Sequence, residues 1–211
     1  MNPSPRTACQ ARSRRTAERL VQAALNMVAT EPAAAITVAG IARRCGVSVG
    51  AFYARFPSRD ALFTYAAARV RRDKLDRWQH AVVSRDWADL DIDTAADAIV
   101  QLLWGLTRSD EFDLSVRLGR ILDDPKGHTA FCDSVLSVLE EAVVECPALT
   151  NSGSLRPWAV RVGIGVIMTS AVRPGLACSI VPDPTLGEEL VHLLRAYLGG
   201  PTPTPQSAAG T

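Results

Sequence analysis

Apolar positions along this chain recur at helical spacing, and strict alternation is almost absent. Leu20, Ala24, Met27 and Val28 share one face of a first helix expected from about Arg14. Glu31-Pro32 closes it, because the residue before a proline avoids the helical region. Val38, Ile41, Ala42 and Cys45 form the inner face of a second, short helix, with Thr37 as its N-cap. Gly46 stops that helix, since glycine accepts a left-handed conformation at little cost. Ser48 caps a third helix, from Val49 to about Arg55, with Phe52 and Phe56 facing inward. Pro57-Ser58 closes it and caps a fourth helix from Arg59 to Arg77 or beyond, with Leu62, Tyr65, Ala66 and Val70 as its buried stripe.

The same period continues through the body. An acidic, turn-rich break at 87–93 precedes a helix over 94–107, with Ala98, Ile99, Leu102, Leu103 and Leu106 in register. Ser109-Asp110 restarts a helix that runs to Leu122. Asp124-Pro125 opens another, with proline at the first helical position, where its missing N–H costs nothing. It carries Phe131, Val135, Leu139 and Val143 and ends at Cys146-Pro147. Residues 148–155 read as a Ser/Asn/Gly-rich loop and 157–172 as a very apolar helix. The best strand window, 162–168, sits inside that longer run, which opens with proline, so it is read as helix. Thr185 and Glu188 fit a capping box at the start of a last helix bearing Leu190, Val191, Leu194 and Leu198. Residues 1–13 read as a flexible arm and 199–211 as a Pro/Thr/Ala-rich disordered tail. The fold class is therefore expected to be all-α.

Charge adds an asymmetry. Residues 1–65 hold nine Lys/Arg and three Asp/Glu, whereas 66–211 hold fourteen and nineteen. A basic head on an acidic body points the head toward a polyanion, although four of the nine cations (Arg6, Arg12, Arg14, Arg15) lie in the first fifteen residues. Length and a 47% apolar content suit one small module plus a larger domain with a real core. The five cysteines are odd in number and widely spaced, which suits a reducing cytoplasm rather than a disulfide framework. No leader-like apolar segment follows the start, and the most apolar run, 162–172, falls short of the ~20 residues a membrane helix needs. A cytoplasmic protein without membrane contact is expected.

The chemistry concentrates in residues 37–63, TVAGIARRCGVSVGAFYARFPSRDALF. Two short helices joined through Gly46-Val47-Ser48 follow the helix-turn-helix plan, in which the second helix enters the major groove and the first crosses the backbone. Val47 fills the turn, and the small Gly50 and Ala51 let backbone approach DNA. Tyr53 offers a hydroxyl to a phosphate, and Arg44, Arg55 and Arg59 offer charge. Each also has a plainer reading: Tyr53 as core, Arg43 and Arg44 as solvated surface, and Thr37 and Ser48 as caps and nothing more.

This stretch resembles the DNA-binding domain of the TetR/AcrR family of bacterial transcription regulators. That family's recognition helix and exit read approximately V-S-x-G-x-L/F/I-Y-x-H/Y/R-F-x-S/N-K/R-E/D-x-L. Residues 47–62 read VSVGAFYARFPSRDAL, and Thr37-Val38, Ile41-Ala42 and Gly46 match as well. The resemblance covers roughly residues 14–65. It implies an N-terminal three-helix DNA-binding domain (14–65) and a helical ligand-binding and dimerisation domain (66–198), about nine or ten helices in all. It also implies a homodimer on a palindromic double-stranded operator, usually as a repressor, with activation as the alternative sign. By position, Thr37 and Ser48 cap the two helices near phosphates, and Tyr53 and Arg59 hold the backbone. Val49 stands where lysine is commoner, and Ala51 where Thr or Ser is frequent, so Ala51 is left to touch a thymine methyl. The dimer seam falls on the last two helices, here at Val162, Gly163, Val166, Leu190 and Leu194.

For the ligand domain, Trp87, Trp104, Phe112, Phe131 and Trp158 either line an apolar cavity or form ordinary core. The apolar inner stripes suggest a hydrophobic effector, with Arg117, Arg120 or Asp97 as its polar anchor. No cofactor or metal is called for: no His/Cys/Asp/Glu cluster has ligand spacing, and Asp89, Asp91 and Asp93 lack the glycine and terminal glutamate of a calcium loop. One catalytic pattern does occur. Residues 46–50 are a literal G-x-S-x-G, which would make Ser48 a hydrolase nucleophile if a strand preceded it. The residues before it read as helix, and His80, His128 and His192 lie far apart, so no enzyme is expected.

Overall fold

The computed structural model describes residues 5–107 and 109–150. Every regular element among them is helical. The order is α1 (Pro5–Thr30), a 3-10 turn (Ala33–Ala35), α2 (Val38–Cys45), α3 (Val49–Tyr53), α4 (Arg59–Val83), α5 (Ile92–Thr107), α6 (Asp110–Leu122), α7 (Pro125–Val143) and α8 (Pro147–Thr150). The helices expected at 157–172 and 185–198 lie outside the described residues, as do Trp158, Val162, Gly163, Val166, Leu190 and Leu194.

The chain divides into two compact units: residues 1–74 with 110–130, and residues 75–109 with 131–211. In the first unit, α1 packs on α2 and α6, and α2 packs on α3. Its core joins Leu20, Ala24, Met27 and Val28 of α1 to Ile41 and Cys45 of α2, Phe52 of α3, and Leu62, Phe63, Ala66 and Val70 of α4, with Leu118 of α6. Phe52 and Leu62 are fully buried, and a buried Phe or Leu of this kind contributes about 1.5–3 kcal/mol. In the second unit, Ala95, Ile99, Leu103 and Leu106 form the buried row of α5, and Phe131, Val135, Leu139 and Val143 that of α7. Trp78 donates its indole N–H to the Val135 carbonyl at 3.0 Å, and Trp87 donates to that of Val82 at 2.9 Å.

Several expectations are corrected. α1 begins at Pro5, not near Arg14; proline at a first helical position is no obstacle to an earlier start. α3 ends at Tyr53, two residues short of Arg55, and α4 extends to Val83. The expected loop after Cys146 opens with a single helical turn, again started by proline. Tyr65 is not part of the buried stripe of α4, since 54% of it is exposed. The stripe is Leu62, Phe63, Ala66, Ala67 and Val70, and Tyr65 lies off its edge with its ring tilted against Phe56. An amphipathic side chain at such a border keeps its hydroxyl in water.

Candidate nucleic-acid interface

The two short helices are defined by caps that the local sequence supplies. Thr37 is extended, and its hydroxyl accepts the Gly40 N–H at 3.1 Å. At the other end of α2, Gly46 takes φ 63° and ψ 37°. Its N–H donates to the Arg43 carbonyl and that of Val47 to the Ala42 carbonyl, both at 3.0 Å. This paired closure satisfies carbonyls that the helix end would leave bare. Ser48 then accepts the Ala51 N–H at 3.1 Å and starts α3. Ser58 does the same for α4, from the Ala61 N–H at 3.0 Å. Val47 is half-buried against the core, as the turn requires.

Placement of the recognition helix follows from one residue. Phe52 is fully buried, packs edge-on to Tyr53 at 5.4 Å between ring centroids and lies 6.1 Å from Phe56. With that side anchored, Val49, Gly50 and Tyr53 face outward together. Tyr53 is 52% exposed and Val49 43%, so Tyr53 is not a core residue. Ala51 is half-buried. α1 is clamped to the end of α2 by a reciprocal pair: an Arg19 Nη donates to the Cys45 carbonyl, and the Cys45 thiol donates to the Arg19 carbonyl at 3.2 Å. Burial pushes the Cys45 thiol up, which keeps it protonated and unreactive.

The arginines are less uniform than their spacing implies. Arg44 is paired with Glu31 at 2.5 Å. Arg55 folds back, with Nη1 on the Ala51 carbonyl at 2.7 Å and Nε on that of Ser13 at 3.4 Å. Arg59 reaches the Ile36 carbonyl at 3.3 Å, meets Asp60 at 3.3 Å and lies 5.5 Å over the Phe63 ring. These three therefore brace the module. Arg12, Arg14, Arg15 and Arg43 are exposed.

The G-x-S-x-G pattern has no nucleophile geometry. A helix precedes it, and the Ser48 oxygen is occupied as a cap. Among the described residues no group of three or more His, Cys, Asp or Glu could hold a metal ion. Asp91 instead caps α5, accepting the Thr94 N–H at 2.7 Å. Among those residues too, no helix is long and apolar enough to cross a membrane.

The ligand-domain candidates divide between the units. Trp87 and Phe131 are buried and Trp104 half-buried in the second unit; Asp97, half-buried on α5, belongs with them. Arg117 and Arg120 sit exposed on α6 in the first unit, with Arg117 paired to Asp113 at 2.7 Å. Phe112 lies on α6, and its side chain falls outside the description.

A polar cluster that the sequence reading missed lies deeper in the first unit. Arg71 of α4 donates from Nη1 to Asp124 Oδ2 at 2.9 Å. Asp124 also accepts the Gly127 N–H at 2.9 Å and so caps α7. Arg71 and that N–H hold the Asp124 carboxyl below the usual carboxylate range. Burial, followed by the charge of Arg71, pushes nearby His128 below its ordinary value, with Asp124 acting the other way. One signal was available: Arg71 continues the row Phe63, Ala67 at four-residue spacing, and a cation on a buried row needs a partner.

Comparison with known proteins follows the same division. Residues 20–66 match the family described as bacterial regulatory proteins, tetR family. No curated protein matches the chain. A tetR-family transcriptional regulator from Streptomyces coelicolor superposes with TM-score 0.58 at 20% identity, over 86% of this chain and 81% of its own. A putative tetR-family regulator from Mesorhizobium loti gives 0.60 at 16% identity, over 89% and 95%. NalD of Pseudomonas aeruginosa, the secondary repressor of the MexAB-OprM multidrug efflux pump, gives 0.53 at 16% identity, over 89% and 98%. The fold is that of tetR-family transcriptional regulators.

Proposed function

We propose, from the premise that this chain carries the N-terminal DNA-binding module of the tetR family of bacterial regulatory proteins, that it is a cytoplasmic, ligand-responsive repressor. It binds a palindromic operator as a homodimer. The observation that carries this reading is the capped α2–α3 pair, in which buried Phe52 turns Val49, Gly50 and Tyr53 outward on the basic end of the chain. Val49 and Ala51 make the recognition face apolar, suited to thymine methyls rather than bidentate base contacts. Affinity then rests on phosphates, with Tyr53 as a donor and the α1 arginines supplying charge. Arg44 and Arg59 join only by exchanging Glu31 and Asp60 for phosphate, a trade that salt weakens.

A two-fold dimer presents two such helices one helical turn apart, about 34–36 Å, to matching half-sites. A small molecule shifts this arrangement only by its differential affinity for the two states. α4 runs without interruption from Arg59, next to the recognition helix, to Val83, and is the element through which the shift would travel. The fold likeness to NalD supports the repressor sign.

The test is capture of fragmented genomic DNA on the purified protein, read by sequencing. A few enriched fragments sharing an inverted repeat are expected, protected by a dimer. No sequence-specific enrichment would overturn the reading, and enrichment upstream of genes whose transcription falls on deletion of the regulator would reverse its sign to activator.

A further inference from the structure

Arg71 holds more than its ion pair uses. Nη1 is taken by Asp124, while Nε and Nη2 are buried and, among the described residues, have no acceptor. Those two nitrogens share one edge of the guanidinium, the edge that presents two parallel N–H groups to a pair of oxygens. A second such group lies on α6. Ser115 of α6 is 2% exposed, and its hydroxyl also has no partner among the described residues. Ser115 lies one helical turn before Gly119 on the same face of α6. A Cβ added at Gly119 would stand 3.6 Å from Arg71 Nη2, so this face of α6 is turned to the unused edge. Buried donors left without acceptors cost free energy, and native cores seldom hold several in one place without a use for them.

We infer that the Nε/Nη2 edge of Arg71, facing the side of α6 that also carries Ser115, is the binding site for a carboxylate group of a small-molecule effector. A carboxylate matches the edge in shape, offering two coplanar oxygens to two parallel donors. It matches in charge as well: Asp124 already meets the other side of the guanidinium, so a monoanion is tolerated where a phosphate dianion would be repelled. Glycine at 119 keeps a side chain off Nη2, since a Cβ there would stand 3.6 Å from it. The site also sits where regulation needs it. An incoming carboxylate shares Arg71 with Asp124, and Asp124 is at once the partner of α4 and the cap of α7. This deepens the proposed effector reading by naming the ligand class, and replaces the exposed Arg117 and Arg120 as anchors.

The test measures binding to the full chain without DNA, so its outcome is separate from that of the operator experiment. Thermal unfolding is followed with acetate, benzoate and octanoate, each against its primary amide, and with inorganic phosphate, at constant ionic strength. At least one carboxylate is expected to raise the melting temperature saturably, while its amide does not. Gly119→Ala is expected to weaken that carboxylate by about tenfold or more, because the added methyl shields Nη2. This variant should fold normally, since its Cβ makes only ordinary contacts. Arg71→Gln should abolish the response; if it fails to fold, Gly119→Ala and Ser115→Ala decide. No response to any carboxylate, equal responses to carboxylate and amide, preference for phosphate, or an undiminished response in Gly119→Ala would each overturn the assignment.

Discussion

Tyr53 and Phe52 are adjacent, yet one is half exposed and the other wholly buried. That difference separates the contact with DNA proposed for Tyr53 from the packing role of Phe52. Tyr53→Phe removes a hydroxyl from an exposed ring and leaves the packing against Phe52 intact. Operator affinity is expected to fall by about fivefold to tenfold, the worth of one solvent-exposed hydrogen bond of ordinary strength, with the melting temperature unchanged. Fluorescence anisotropy with a labelled operator checks the first and a thermal melt the second; unaltered affinity would remove Tyr53 from the interface. Gly46 is a residue of the opposite kind. Its left-handed conformation, φ 63°, closes α2, and any side chain there carries strain of about 1–2 kcal/mol. Residues of these two sorts were readable in order along the chain, because caps, stops and anchors act on neighbours within four positions.

Among the elements, the helices differ in what holds them. α2 and α3 have eight and five residues, too short to persist alone. They depend on Thr37, Ser48 and burial of Ile41 and Phe52. α5 and α7 are longer, and two of their glycines offer a controlled contrast. A methyl at Gly105 of α5 would meet nothing within 4 Å. Gly105→Ala is therefore expected to stabilise by about 0.5–1 kcal/mol, through backbone entropy alone. At Gly127 a methyl would collide with Asp124 Oδ2 and Arg71 Nη1. Gly127→Ala gains the same helix propensity but displaces the ion pair and cap of α7, and is expected to destabilise by about 1–2 kcal/mol net. Urea denaturation of both variants measures the difference; equal stabilisation would show that the Arg71–Asp124 pair contributes nothing at its present position.

At the scale of the molecule, pH acts through the same cluster. His128 is held below its ordinary 6.5 by burial and Arg71. The unfolded chain therefore takes up a proton before the folded one does. Its contribution to stability is complete above 6.5 and is lost as pH falls from there through the folded value. Asp124 is held below 3.8, so its contribution is complete above that and lost as pH falls through its folded value. The melting temperature should thus begin to drop below about pH 6.5, ahead of general acid unfolding. His128→Gln should flatten this first phase; a wild-type profile level down to about pH 5 would rule the histidine out. The cluster joins Arg71 to a residue 53 positions away, and that separation is why reading along the chain passed over it.

The sequence by itself determined the helical class, most of the boundaries, and the capped pair of short helices. Periodicity, prolines, and Thr, Ser and Gly caps are local physics, complete within a turn or two. Where the rule was only periodic it slipped: Tyr65 sat on the expected stripe and lies outside it, and α1 starts nine residues early. Tertiary structure alone decided which cations are spent. Arg44, Arg55 and Arg59 looked like equivalent hands for DNA, yet each is engaged by a carbonyl or carboxylate that folding brings to it. It also decided that Arg71, unremarked in the sequence, has Nε and Nη2 buried, with Nη2 turned toward α6. A side chain's charge is written in its own residue, but its availability depends on partners that only packing assembles.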